Sequence, residues 1–254
     1  FRRKVSQYLL DQPWLIAAIV VGFIVRVVPI LIWGDLDCTR DECIYKGMGE
    51  RILAGEGLTV SKKGWLAAPG YPYTLAMSAV IFGKMQAVKR VQLLLAALST
   101  WMMYQLGLRV GQAKKVGLVA AWLYALHPTL AYFVGTMWTE TFYSTFLIAA
   151  ALAAVWTRDG GWQRGVWVGG AIGAAMLYRG AATYLLPIYA VALLWPVTWT
   201  IRSVKQSVER YWQHVAAMVV AAVLVVAPYS IHASQRHGGF MVTDATLGHV
   251  AHLG

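Results

Sequence analysis

Charge is scarce in this sequence. Only 13% of its 254 residues are charged, while 59% are hydrophobic and the mean hydropathy is +0.56. A soluble domain of this size carries roughly 25% charged residues, so a soluble globular fold is excluded. Carboxylates are the scarcer of the two charged classes, with 11 Asp and Glu against 22 Lys and Arg. The sequence also lacks a glycine-rich nucleotide loop, a heptad array, a low-complexity tract and a second, soluble domain. No small-residue cleavage site follows the first apolar run, 14–33, which is too long for a signal-peptide core and reads as a retained membrane helix.

What is present is a series of apolar runs, several long enough to span a hydrocarbon layer of about 30 Å. The expected fold is an all-α polytopic membrane protein, a single domain over 1–254. About seven spans are expected, near 14–33, 88–108, 116–135, 139–157, 165–180, 182–200 and 213–231. The segment 70–82 is apolar but short, and is expected to be an interfacial or re-entrant helix within a first outer loop, 34–87. The net charge of +11 sits in short clusters between apolar runs. This pattern marks membrane orientation and anionic-lipid contact rather than a nucleic-acid face. With the N-terminus inside, Arg2, Arg3, Lys4, Arg109, Lys114, Lys115, Arg158, Arg164, Arg202, Lys205 and Arg210 fall on the inner side. Most acids fall outside, which points to one extracytoplasmic site. The glycine face Gly165-x-x-x-Gly169-Gly170-x-x-Gly173 is expected to let two helices pack closely.

Six of the 11 acids lie in 34–68: Asp35, Asp37, Asp41, Glu42, Glu50 and Glu56. Ile44, Met48, Ile52 and Leu53 recur at helical spacing, so 41–54 reads as an amphipathic interfacial helix ending at Gly55. Asp41 and Glu42 open that helix, where the dipole favours a carboxylate. They are either a helix cap with solvated neighbours or acid–base groups. Glu140 stands between two apolar runs and calls for a partner if it faces inward; a metal, Arg179 or a substrate group would serve. Arg179 either pairs a phosphate or snorkels to headgroups. Arg26, in mid-span, reads as a structural pairing within the bundle. His127-Pro128 reads as a kink. Cys38 and Cys43 flank Asp41-Glu42; an oxidising compartment permits a disulfide, but a helical spacing of five points them apart. Pro228 reads as the end of a span, with a polar outer loop behind it.

In this order the segments resemble the dolichyl-phosphate-mannose–protein mannosyltransferase-like family, which includes bacterial aminoarabinose lipid A transferases and belongs to the GT-C membrane glycosyltransferases. The resemblance rests on Asp41-Glu42-x-x-Tyr45, Ala68-Pro69-Gly70-Tyr71-Pro72, Thr139-Glu140, Leu177-Tyr178-Arg179-Gly180 with Leu186-Pro187, and the stretch from Pro228 to Gly248. It implies a polyprenyl-phosphate sugar donor and an acceptor on the extracytoplasmic face of a plasma membrane, bacterial or archaeal. Asp41 would be the catalytic base, and Glu42, the second catalytic candidate, would orient or bind the acceptor. Tyr45, Tyr71, Glu140 and Arg179 would bind substrate, with a divalent cation as a further candidate for the leaving phosphate. The chain departs from the family at Gly180, where Pro is usual, and after Pro228-Tyr229, where Arg-Asn is absent. It is also shorter than typical members, and so reads as a fragment or a reduced relative. The rival reading is a non-catalytic membrane subunit with membrane-protein partners. A transporter is weaker, since no inverted repeat relates the two halves.

Overall fold

The structure, a computed structural model, describes residues 13–33, 38, 41–58, 68–156, 162–194, 201–237 and 240–243. Asp35, Asp37 and Asp244 lie outside the described residues, as does the link 59–67. Among the described residues every regular element is helical. α1 is Pro13–Trp33, α2 Asp41–Leu53 and α3 Gly70–Phe82. A short 3₁₀ turn, Met85–Ala87, leads into α4 (Val88–Gly111). α5 (Lys114–Leu126), α6 (Pro128–Val134), α7 (Glu140–Trp156) and α8 (Gln163–Tyr178) follow. A 3₁₀ segment, Gly180–Tyr184, joins α8 to α9 (Leu185–Leu194), and α10 is Ile201–His237.

Among the described residues three helices are long and apolar enough to cross a membrane: those over Pro13–Ile32, Met85–Gly111 and Ser203–Gln235. α5 and α6 make a fourth candidate if taken as one span bent by 55°. The other three expected spans coincide with α7, α8 and α9, which at 17, 16 and 10 residues fall short of the length criterion met by the first three. α3 is not among the candidate spans. It buries Tyr71, Pro72, Leu75 and Ala76, and exposes Tyr73, Met77, Val80 and Ile81 on the opposite face. That apolar exposed stripe suits a helix lying against lipid.

The bend at α5–α6 has a chemical cause. Pro128 has no N–H, so the Tyr124 carbonyl loses its ordinary i+4 donor. Arg26 of α1 supplies the replacement. Its guanidinium donates to Tyr124 O at 2.7 Å and to Ala125 O, and within its own helix to Gly22 O at 3.1 Å. The same guanidinium lies 5.1 Å from the Tyr124 ring centroid. Arg26 is buried, yet the carbonyl end of α5 gives it a partial negative charge to face. Beyond the bend, the Leu130 N–H donates to His127 Nδ1 at 3.4 Å and caps α6. The structural readings of Arg26 and of the His127 kink both hold.

α8 and α10 form the tightest pair. β-carbons at Gly165 and Gly169 would overlap the backbone carbonyl oxygens of His214 and Met218, and one at Gly173 would meet Ala222 O at 3.0 Å. The glycine stripe therefore admits α10's backbone itself. Gly170, one residue round the helix, has nothing within 4 Å. Gly169→Ala should destabilise the protein by about 1–3 kcal/mol through overpacking. Gly170→Ala, gaining helix propensity in open space, should not lower thermal stability in micelles. Equal melting of the two variants would show that the stripe does not set the packing.

α10 runs straight through Pro228 rather than ending there. The turns beyond it are held by tertiary contacts. Tyr229 and Ala233 pack with Met48 and Leu58 beside α2. Ser230 and Ser234 both donate to Met241 O, and the Met241 N–H returns to Ser234 Oγ at 2.9 Å. One missing backbone bond at Pro228 is outweighed by this packing.

Candidate functional site

α2 begins at Asp41 and stops before Gly55, whose φ of +77° is the left-handed geometry a helix terminator needs. Its buried side carries Glu42, Met48 and Gly49, with Ile44, Tyr45 and Ile52 packed beside them. Gly49 lets Met85 and Leu75 approach within about 3.4 Å of where its β-carbon would be, which seats α2 on α3. Asp41, Glu50 and Glu56 remain exposed. A disulfide joins Cys38 to Cys43, contrary to the spacing argument. That argument placed both cysteines in one helix. Cys38 precedes the helix start, so the chain can fold back and bridge across Asp41-Glu42.

Glu42 turns inward. The Met137 N–H donates to Glu42 Oε1 at 2.6 Å, a charge-assisted bond that ties α2 to the turn after α6. The same turn leads into Thr139-Glu140, where α7 starts. Glu140 Oε1 lies 3.1 Å from Arg179 Nη2; the Glu140 side chain is 14% exposed and that of Arg179 48%. The Arg179 guanidinium also lies 5.8 Å from the Tyr143 ring centroid. Arg179 stands just past α8 in extended backbone (φ −151°), which ends the helix and presents the side chain outward.

Tyr45 stands among these groups. Burial pushes its hydroxyl pKa up, the Arg179 charge opposes that rise, and Glu140 and Asp41 add to it. A Thr139 hydrogen bond opposes the rise as well. The net direction is upward, so Tyr45 stays a neutral hydroxyl at ordinary pH. An aromatic series continues below it. Tyr45 meets Tyr71 edge-on at 5.4 Å, Tyr71 meets Phe142 at 5.9 Å, and Phe142 stacks on Tyr178 at 4.9 Å. Thr74 and Tyr178 share a hydroxyl–hydroxyl bond of 2.8 Å. A β-carbon at Gly70 would sit 2.8 Å from Leu177 O, so the glycine of Pro69-Gly70-Tyr71 permits α3 to touch the end of α8.

Asp41, Glu42, Tyr45, Glu140 and Arg179 are thus gathered at one end of the helical bundle. Tyr71 is fully buried, with its hydroxyl donated to Gln92 Oε1 at 2.8 Å. It stands behind the site rather than in it. Sequence reasoning gave no role to Gln92, Thr74 or Tyr143, and quoted Tyr178 only as part of a motif. Gln92 carried one weak signal, an amide one turn inside an apolar helix.

Among the described residues no three His, Cys, Asp or Glu side chains are grouped to hold a metal. The donor set fits a divalent ion poorly, since Glu42 is bound to a backbone amide and Glu140 to Arg179. The described cation suited to a phosphate is Arg179.

The chain is an all-helical membrane protein with acids and an arginine near one another at the ends of α2, α7 and α8. Residues 67–232, about two thirds of the chain, match the model of the dolichyl-phosphate-mannose-protein mannosyltransferase family, and the chain belongs to that family. It is a family of membrane glycosyltransferases that use lipid-phosphate-linked sugars. Comparison with curated proteins returns no match. The matched stretch includes Tyr71, Glu140 and Arg179 and begins after α2, so Asp41, Glu42 and Tyr45 lie ahead of it.

Proposed function

We propose that the chain transfers a sugar from a polyprenyl-phosphate donor to an acceptor on the extracytoplasmic face. The carrying observation is the half-exposed Arg179 paired with Glu140 at 3.1 Å, next to the Met137 turn that Glu42 ties to the start of α2, where Asp41 is exposed. Asp41 takes the proton of the acceptor hydroxyl as its oxygen attacks the anomeric carbon. The bond from that carbon to the phosphate oxygen breaks with inversion, and its electron pair leaves on polyprenyl phosphate. Arg179 faces the charge that develops on this leaving group, a role suited to a planar guanidinium. Glu140 holds Arg179 in place and yields it to the incoming phosphate. Glu42 holds the α2 end against the Met137 turn, and Tyr71 supports Tyr45 from below.

The Cys38–Cys43 disulfide supports an outward-facing loop, since such bonds persist in oxidising compartments. α7, α8 and α9 complete a seven-span bundle in this reading, with 34–87 as its first outer loop.

The test is transfer from a polyprenyl-phosphate sugar by protein reconstituted in lipid vesicles. Arg179→Ala should lower turnover by about 10²–10³, the usual cost of a lost charge-stabilising group, while Arg179→Lys keeps part of the rate. Release of polyprenyl phosphate at the wild-type rate by Arg179→Ala would remove the leaving-group role.

A second reading is a membrane subunit without turnover. It is favoured by how fully Glu42 and Glu140 are satisfied within the chain. It predicts co-purification with fixed partner helices and no donor consumption.

A further inference from the structure

We propose that Gln92 is a positioning residue for this site, an inference that rests on the glycosyltransferase reading. Gln92 is fully buried near the start of α4. Its Oε1 accepts from Tyr71. Its Nε2 faces three backbone carbonyls, those of Phe133 at 3.2 Å, Val134 at 3.0 Å and Thr136 at 2.8 Å. An amide nitrogen has two hydrogens, so the three carbonyls share them.

Those carbonyls matter because α6 has only seven residues. The last carbonyls of a helix have no partner within it. The Gly135 N–H turns back to Tyr132 O at 2.9 Å, and Gln92 serves the carbonyls that follow. The segment so held runs directly into Met137, whose N–H binds Glu42, and then into Glu140 at the head of α7. One side chain therefore joins Tyr71 under Tyr45 to the turn that anchors α2 and launches Glu140. Among its described bonds none goes to Asp41, Glu140 or Arg179. Its action passes through the backbone of 133–137, so it governs where the reacting groups stand and not how substrate is held.

Two variants separate this role from general stability. Gln92→Leu removes every polar contact, and Gln92→Asn keeps the amide one methylene short of its carbonyls. In vesicle-reconstituted protein both should speed amide exchange at Gly135 and Met137 by about ten-fold or more. Exchange in α8 and α10 should stay unchanged. Turnover should fall by about 10²-fold, the scale of a small misplacement at a reacting centre, with little change in donor KM. Paired with Glu42→Gln, the loss in kcat should be less than additive, since both act through the Met137 turn. Unchanged exchange at Gly135 and Met137 in both variants, or strict additivity with Glu42→Gln, would overturn the inference. Should wild-type protein transfer no sugar, the glycosyltransferase reading fails, and the exchange measurement still decides the role of Gln92.

Discussion

Asp41→Asn is expected to reduce sugar transfer by about 10²–10⁴, the usual contribution of a positioned general base. Asparagine matches aspartate in size, and α2 keeps its packing on Met48 and Gly49, so the helix should still form with only the small loss of a carboxylate from its first turn. Asp41 is exposed, and its replacement disturbs no packing. Glu42→Gln is the informative contrast. Glu42 is buried against the Met137 N–H, so its loss should lower thermal stability as well as rate. Donor KM for Asp41→Asn should stay near the wild-type value, because the base acts in the transition state and not in holding the lipid phosphate. The measurement is single-turnover transfer in vesicles alongside thermal unfolding. A folded Asp41→Asn protein that turns over at the wild-type rate would dismiss Asp41 as the base.

Arg26→Leu should produce the largest loss of stability. The substitution strips the guanidinium from the Tyr124 and Ala125 carbonyls, leaving Tyr124 O with only the long 3.3 Å bond from the His127 N–H. Each such acceptor costs about 1–3 kcal/mol, and the membrane interior offers no water to replace the guanidinium. Removing the charge recovers some desolvation energy, but replacing only one side of a buried bond leaves the other unsatisfied, so the net sign is destabilising. Arg26→Lys keeps the charge but loses the two-pronged geometry, and should fall between. Since the bent pair leads directly into the Met137 turn, the leucine variant should also lose transfer activity. Intrinsic fluorescence during thermal unfolding in micelles checks the first effect, and a melting point equal to wild type would show that the bend stands without Arg26.

Local patterns carried much of this arrangement. The spacing of Ile44, Met48 and Ile52 with Gly55 behind them located α2, because an interfacial helix must sort its faces in the sequence. The glycine stripe of α8 was equally readable, since small residues at fourfold spacing have few other uses. Glu140 stood out because a carboxylate among apolar runs is costly. Failures arose where tertiary contacts decide. Pro228 looked like a terminus because nothing local reveals that Ala233 and Tyr229 pack beside α2. Cys38 and Cys43 looked mispaired because the argument assumed one continuous helix, whereas Cys38 lies ahead of the helix start at Asp41. Tyr71 looked like a ligand residue, yet burial depends on what packs over it. The count of seven spans relied on apolar length, and α7, α8 and α9, at 17, 16 and 10 residues, are shorter than the apolar runs that contain them. Gln92 had no periodicity at all, since its partners are backbone carbonyls 41–44 residues away.

The backbone contact between α8 and α10 bears on how much the site can adapt. Helices separated by side chains can slide as rotamers change, but these two meet carbonyl against glycine and have no such slack. Arg179 directly follows the end of α8, and the far end of α10 packs beside α2. The cation and the helix bearing Asp41 are therefore mounted on one stiff strut, and the span between them is a fixed gauge. Tolerance for donors or acceptors of different bulk must then come from the surrounding side chains, with half-buried Tyr45 the nearest movable part.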